Sequence, residues 1–281
     1  MAAYAFRILN VFAREGRLTG NPLCVFEDGR GLDDAAMQAL ARQFNLSETT
    51  FILPPPPEAT ARVRIFTPAY EMAFAGHPTL GTAHVVRALG GGDSVRLAMK
   101  AGVIPVEAKG DTWTLAANRP RWREVEEPRA AIAEAVGLEP ADIAERPLWV
   151  SSGNEQLVIP VASAEAVRRA RPRPEALLRL KCEDGQPKAY VFADAGDAAG
   201  TVECRFFFPA GPAILEDPAT GSACANLGGW FCATRPGTRI ARVLSQGEAV
   251  GRPSTLHLTV RDGAISVGGR VVELGRGTLE L

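Results

Sequence analysis

Arg64-Ile65-Phe66-Thr67-Pro68-Ala69 leads, nine residues after Pro68, to His77-Pro78-Thr79-Leu80-Gly81-Thr82-Ala83. About 140 residues further on, Arg205-Phe206-Phe207-Phe208-Pro209-Ala210 leads, eight after Pro209, to Asp217-Pro218-Ala219-Thr220-Gly221-Ser222-Ala223. Each copy reads as a strand, a loop, and an X-Pro-x-x-Gly-small-Ala step into an apolar helix. The Pro suits a first helical turn, where its missing N–H costs nothing. A duplicated strand–loop–helix unit predicts two similar domains facing each other across a cleft, where small-molecule sites preferentially lie. The first helix is expected to end at Gly90-Gly91-Gly92, and the second around Gly228-Gly229 or Thr234.

Outward from the repeat, Tyr4 to Val11, Leu23 to Phe26, Thr49 to Leu53 and Val63 to Phe66 are β-branched or aromatic runs punctuated by turn residues. Between them, Ala36, Met37, Leu40, Ala41 and Phe44 follow a helical period over Leu32 to Phe44, with Asp33 or Asp34 as N-cap. The class is therefore α+β. Pro54 to Pro57 cannot pair in a sheet and reads as a loop. Pro120 to Pro128 is polar and Pro-containing, and a helical stretch follows from Ala130 to Val136. The join is placed near Asn118, giving domains 1–117 and 118–281, and the last strand, around Val267 to Leu274, can pair with either.

The 281 residues carry 31 Lys and Arg against 32 Asp and Glu, a formal charge of −1. A near-neutral chain has no general field for polyanions or acidic membranes, so neither nucleic acid nor membrane is an expected partner. At 46% hydrophobic and 22% charged the composition is that of a soluble globular protein. No run approaches the roughly 18 apolar residues of a membrane span, and the N-terminus does not read as a signal peptide. The cytoplasm is the expected location. Five cysteines, Cys24, Cys182, Cys204, Cys224 and Cys232, lack CxxC spacing and read as structural thiols.

Helix starts of this kind present unpaired N–H groups and the positive end of the dipole, which together favour an anion. His77 and Asp217 read equally as ordinary N-caps, although His, unlike Asp, is not a favoured cap residue. Glu48, in Asn45-Leu46-Ser47-Glu48-Thr49-Thr50-Phe51, lies between a helix and an apolar strand, where a carboxylate can serve as general acid or base. The matching stretch of the second half, Gln186-Pro187-Lys188-Ala189-Tyr190, has no carboxylate. One acid suggests a single proton shuttle, not the two opposed bases of a racemase.

Gly20-Asn21-Pro22-Leu23, Ser47-Glu48-Thr49-Thr50-Phe51, Phe74-Ala75-Gly76-His77-Pro78-Thr79-Leu80-Gly81, Glu216-Asp217-Pro218-Ala219-Thr220-Gly221-Ser222-Ala223, and Gln246-Gly247 through Gly251-Arg252-Pro253-Ser254 appear in that order. With these motifs the chain resembles the phenazine biosynthesis PhzF-like family over residues 20 to 254. The resemblance implies a diaminopimelate-epimerase-like fold, with two pseudo-symmetric domains that each wrap a mostly antiparallel, barrel-like sheet around a central helix. It also implies a site between the domains, no cofactor or metal, and often a homodimer. The implied activity is an isomerase that moves a proton on a small carboxylate. In the family's biosynthetic members that substrate is trans-2,3-dihydro-3-hydroxyanthranilate. Residue by residue, the resemblance makes Glu48 the shuttle, has His77, Asp217 and Ser222 contact substrate or assist transfer, and lets Gly76 and Gly221 supply backbone N–H donors. The related epimerases and proline racemases use two cysteine thiolates at these helix starts, and neither start here has one; Cys224, two residues past Ser222, is expected to pack in the helix.

Other readings fit less well. A serine hydrolase on Ser222 lacks the G-x-S-x-G elbow, since Thr220 occupies the first Gly place. His77, His84 and His257 include no H-E-x-x-H pair for a metal. Gly90-Gly91-Gly92 follows a helix, not a strand, so it is no dinucleotide loop. A non-catalytic small-molecule-binding or interaction protein that kept the fold is the alternative of a different class. The presence of Glu48 together with His77, Asp217 and Ser222 weighs against it.

Overall fold

A computed structural model describes residues 2–281. It divides into two compact units, one made of the chain up to Ala116 together with Gly268–Leu281, the other of Ala117–Val267. The last strand, Ala264–Glu280, is longer than its apolar stretch suggested. Its residues from Val271 to Glu280 pair antiparallel with Ala3–Val11, which assigns that part of the strand to the first unit.

In the first unit Ala3–Val11 also pairs antiparallel with Asn21–Phe26. That strand runs parallel to Glu48–Leu53, which pairs antiparallel with Ala61–Phe66. Ser94–Met99, Gly102–Lys109 and Thr112–Ala116 continue as an antiparallel meander. The intervening helix Asp34–Phe44 starts at Asp33, whose side chain accepts from the Ala36 N–H, and ends at Asn45 in the left-handed conformation. The sequence allowed Asp33 or Asp34 as the cap, and the hydrogen bond selects Asp33.

The helix Gly76–Ala88 touches the strands that begin at Ala3, Asn21, Glu48, Ala61, Ser94 and Thr112. Buried residues therefore run through consecutive positions from His77 to Ala83 instead of following one stripe. So close an enclosure leaves no room for side chains at every position. A Cβ on Gly81 would lie 2.4 Å from Leu23 Cδ2 and 2.9 Å from Val11 Cγ2.

The second unit repeats the plan with different residues. Arg121–Glu124, Leu148–Ser151 and Glu155–Pro160 are successive antiparallel neighbours, and Glu155–Pro160 runs parallel to Ala189–Asp194. Thr201–Ala210 pairs with Ala189–Asp194 and Ala213–Asp217 antiparallel, and with Ile240–Gln246 parallel. The helix Gly221–Thr234 packs on strands beginning at Arg121, Leu148, Glu155 and Ser254.

Both copies of the duplicated stretch fold the same way locally. Arg64 grips Glu71 through both carboxylate oxygens and lies over the Phe66 ring; Arg205 does the same with Glu216 and Phe207. The two X-Pro steps, by contrast, are not equivalent. The helices begin at Gly76 and Gly221, so Pro78 is the third residue of its helix, whereas Pro218 lies in the loop three residues ahead of the other. The first helical turn tolerates Pro78 because its N–H would have no helical partner. Counted from the helix starts, His77 corresponds to Ser222 and not to Asp217.

Two predictions follow from this packing. Gly81→Val should lower stability in urea unfolding by about 1–3 kcal/mol, the cost of overpacking a filled core. Arg205 and Glu216 are 9% and 8% exposed, and Arg205 also donates to the Ala170 carbonyl at 2.6 Å, while Arg64 and Glu71 are 20% and 13% exposed and share Asp34 and Lys100. Arg205→Met should therefore cost the roughly 3–5 kcal/mol of a broken buried pair, and Arg64→Met clearly less; equal losses would contradict this ranking.

Candidate active site

Glu48 opens its strand after the short Asn45–Ser47 turn, and its register against Leu23 fixes the backbone on both sides. The side chain is 15% exposed and brings Oε2 to 3.0 Å from His77 Nδ1. His77 is the second residue of the helix Gly76–Ala88 and is buried. Its other ring nitrogen, Nε2, lies 3.2 Å from the Pro22 carbonyl oxygen. A carbonyl can only accept, so Nε2 carries the hydrogen, and in the neutral ring Nδ1 presents a lone pair to Glu48. The buried Oε2 has no aligned hydrogen bond despite its short distance to Nδ1. The pair thus sets a carboxylate oxygen beside an imidazole nitrogen at ion-pair distance.

In the second unit Asp217 ends the strand Ala213–Asp217, and Thr220 is the N-cap of the helix that Gly221 begins. Asp217 is therefore no helix cap, and neither is His77, since Ala75 holds that place in the first unit. Thr220 does not cap with its side chain either. Its hydroxyl donates in a short hydrogen bond to the Asp217 carboxylate and accepts from Gln246 Nε2 at 3.1 Å. Gln246 Nε2 also donates to the Asp217 carbonyl at 2.8 Å, and a Cβ on Gly247 would lie 2.5 Å from the Pro218 carbonyl. The Gln246-Gly247 motif thus clamps the loop that carries Asp217. Ser222, the second residue of the helix, accepts from Gln156 Nε2 at 3.0 Å.

Neither helix start has a side-chain cap, so the backbone donors of Gly76 and Gly221 lie at ends that no cap side chain serves. The first unit brings Glu48, Gly76 and His77 together, and the second brings Asp217, Gly221 and Ser222 together. The position opposite Phe207 that answers to Thr49 opposite Phe66 is Ala189, which puts Lys188 where Glu48 stands. Lys188 Nζ is bound by Asp184 at 2.6 Å.

All five cysteines are free thiols. Burial pushes Cys204 up to about 12 and Cys224 well above the ordinary thiol range, so neither is a thiolate near neutral pH. Among the described residues no group of three His, Cys, Asp or Glu side chains could hold a metal ion. Sequence reasoning did not single out Thr220, Gln156 or Asn226 as functional residues. The signal for the last two is an amide beside apolar residues, Gln156 ahead of Leu157–Pro160 and Asn226 between Ala225 and Leu227.

Comparisons with known proteins cover nearly the whole chain. The model of the phenazine biosynthesis-like protein family matches residues 9–277. An uncharacterised isomerase of Pasteurella multocida is 36% identical over 99% of this chain and 95% of its own. The trans-2,3-dihydro-3-hydroxyanthranilate isomerase of Pseudomonas aeruginosa is 33% identical over 90% of this chain and 89% of its own. A crystal structure of a Bacillus anthracis phenazine biosynthesis protein of the PhzF family, 22% identical, superposes with a TM-score of 0.89 over all of both chains and shares the fold. With a family model spanning nearly its whole length and relatives named as isomerases, the chain belongs to the phenazine biosynthesis-like (PhzC-PhzF) family.

Proposed function

We propose that this protein is a cofactor-independent isomerase that moves a proton between carbons of a small carboxylate substrate, with Glu48 as its acid/base and two pseudo-symmetric domains supplying the residues. The observation that carries this reading is the Glu48–His77 pair: a carboxylate oxygen 3.0 Å from Nδ1 of a histidine whose Nε2 is committed to a backbone carbonyl.

In the reaction the Glu48 carboxylate takes a proton from an acidified C–H; an O–H bond forms, and the C–H electron pair spreads into the neighbouring π system. The same O–H then breaks and delivers the proton to another carbon of that system. Atoms and electrons balance without an oxidant or reductant. General acid–base help of this kind is worth about 10²–10⁴-fold. The remainder is electrostatic, from His77 and from the Gly76 and Gly221 N–H groups facing the developing anion. Asp217 and Ser222 bind the substrate. A proton relayed through one carboxylate is retained only where water is kept away, which the low exposure of both side chains favours. The printed names of the relatives support trans-2,3-dihydro-3-hydroxyanthranilate as the first compound to try.

The test is proton NMR in D₂O with that compound, diaminopimelate and proline. Intact protein should convert the dihydro compound to a double-bond isomer whose new C–H carries mostly the protium taken from the substrate, with little deuterium from the solvent. Glu48→Gln should lower the rate by at least about 10²-fold with thermal unfolding unchanged. Normal turnover by Glu48→Gln would remove Glu48 from the shuttle role.

A further inference from the structure

We propose that Gln156 and Asn226 are positioning residues that hold Ser222 as a hydrogen-bond donor to a carboxylate oxygen of the ligand. This rests on the proposed function for the identity of the ligand, and on the second unit alone for its geometry.

The starting observation is a difference between the units at one helix–strand contact. Five residues after its first residue, the helix of the first unit has Gly81, and the helix of the second has Asn226. The strand positions that face them correspond in the same way. Leu157 pairs with Ala189 and Cys24 with Thr49, so Gln156 answers to Leu23. In the first unit this contact is apolar and so close that a Cβ on Gly81 would meet Leu23. The fold therefore closes there without polar groups. In the second unit two amide side chains fill the same gap, each only 1% exposed. Buried amides cost free energy unless every group is bonded.

Here the bonding is directional. The Asn226 Oδ1 accepts the Ser152 N–H at 2.8 Å, while its Nδ2 donates to the Asn154 carbonyl and to Gln156 Oε1, each at 2.9 Å. A backbone N–H can only donate and a backbone carbonyl can only accept, so the orientation of the Asn226 amide is fixed. That fixes Gln156 in turn: its oxygen faces Asn226, and its Nε2 donates to Ser222 Oγ at 3.0 Å. Nε2 has no lone pair to accept with, so the Ser222 hydroxyl hydrogen points elsewhere, available to an acceptor. An anionic oxygen at the start of this helix is the acceptor that both the hydroxyl and the helix dipole favour.

Dissociation constants are measured by calorimetry for 3-hydroxyanthranilate, an aromatic carboxylate with no dihydro ring to isomerise, and for 2-aminophenol, the same ring without its carboxylate. The full chain is compared with Gln156→Leu, Ser222→Ala and the double variant. Gln156→Leu should weaken 3-hydroxyanthranilate binding by about 10-fold or more, the worth of a hydrogen bond to a charged group. It should add no further loss in the Ser222→Ala background and leave 2-aminophenol unaffected. An undiminished affinity, the same loss on top of Ser222→Ala, or an equal loss for 2-aminophenol would overturn the proposal. If Gln156→Leu does not fold, Gln156→Glu replaces it. Glu keeps an oxygen for Asn226 and turns an acceptor towards Ser222, and it should produce the same selective loss. The Gln156 side-chain amide signal in a ¹⁵N spectrum reads the geometry without any ligand, and it should shift in Ser222→Ala. If intact protein binds neither compound and that signal shifts, the positioning of Ser222 stands while the carboxylate ligand and the proposed function fall. An unmoved signal overturns the positioning itself.

Discussion

A helix surrounded by strands on every side has its backbone satisfied along its length and left open only at its ends. The helices Gly76–Ala88 and Gly221–Thr234 are of this kind, with buried residues at consecutive positions instead of along one stripe. Everything else in each unit follows from that enclosure. Strands close around the helix at a distance set by its smallest residues, and Gly81 marks the place where Leu23 and Val11 come nearest. The first-turn N–H groups are then left without helical partners. Ala75 has no side chain to cap them, and the Thr220 hydroxyl is engaged by Asp217 and Gln246.

The two helix starts are finished with different chemistry. At the first, a histidine is anchored through Nε2 to the carbonyl of Pro22, which leaves Nδ1 for Glu48. At the second, a serine is anchored by an amide donor that has itself been oriented by another amide. In both cases a hydrogen bond on one side of the residue sets the direction in which its other polar atom or hydrogen faces. That arrangement is more exacting than hydrophobic packing, because an unpaired buried polar atom costs more than a formed hydrogen bond contributes.

Much of this architecture was legible in the chain. β-Branched and aromatic runs located the early strands, Asp33 was among two named caps, and the recurrence of Arg64-Ile65-Phe66 in Arg205-Phe206-Phe207 announced a duplicated unit. The alignment within that duplication was misleading, because Pro is tolerated both within a first helical turn and in the loop ahead of it. Matching Pro78 to Pro218 put His77 opposite Asp217, whereas the helix starts put it opposite Ser222. Gln156 and Asn226 escaped notice because a lone amide carries no periodic signal; its meaning comes from a partner 70 residues away. The final strand was ambiguous for the same reason: pairing with Ala3–Val11 is a long-range fact that local composition does not encode.

The asymmetry between the units also bears on the class of reaction. Inversion by two bases requires a proton acceptor of suitable strength in each unit. The position answering to Glu48 is Lys188, whose ammonium is held by Asp184 and the Gln186 carbonyl. Cys224, the thiol closest in sequence to either helix start, is driven towards its neutral form by burial. The second unit thus has no carboxylate at the Glu48 position, and its Asp217 carboxylate is engaged by the Thr220 hydroxyl. In the proposed reaction one carboxylate–imidazole pair is sufficient, because the proton that Glu48 removes is the proton that it returns.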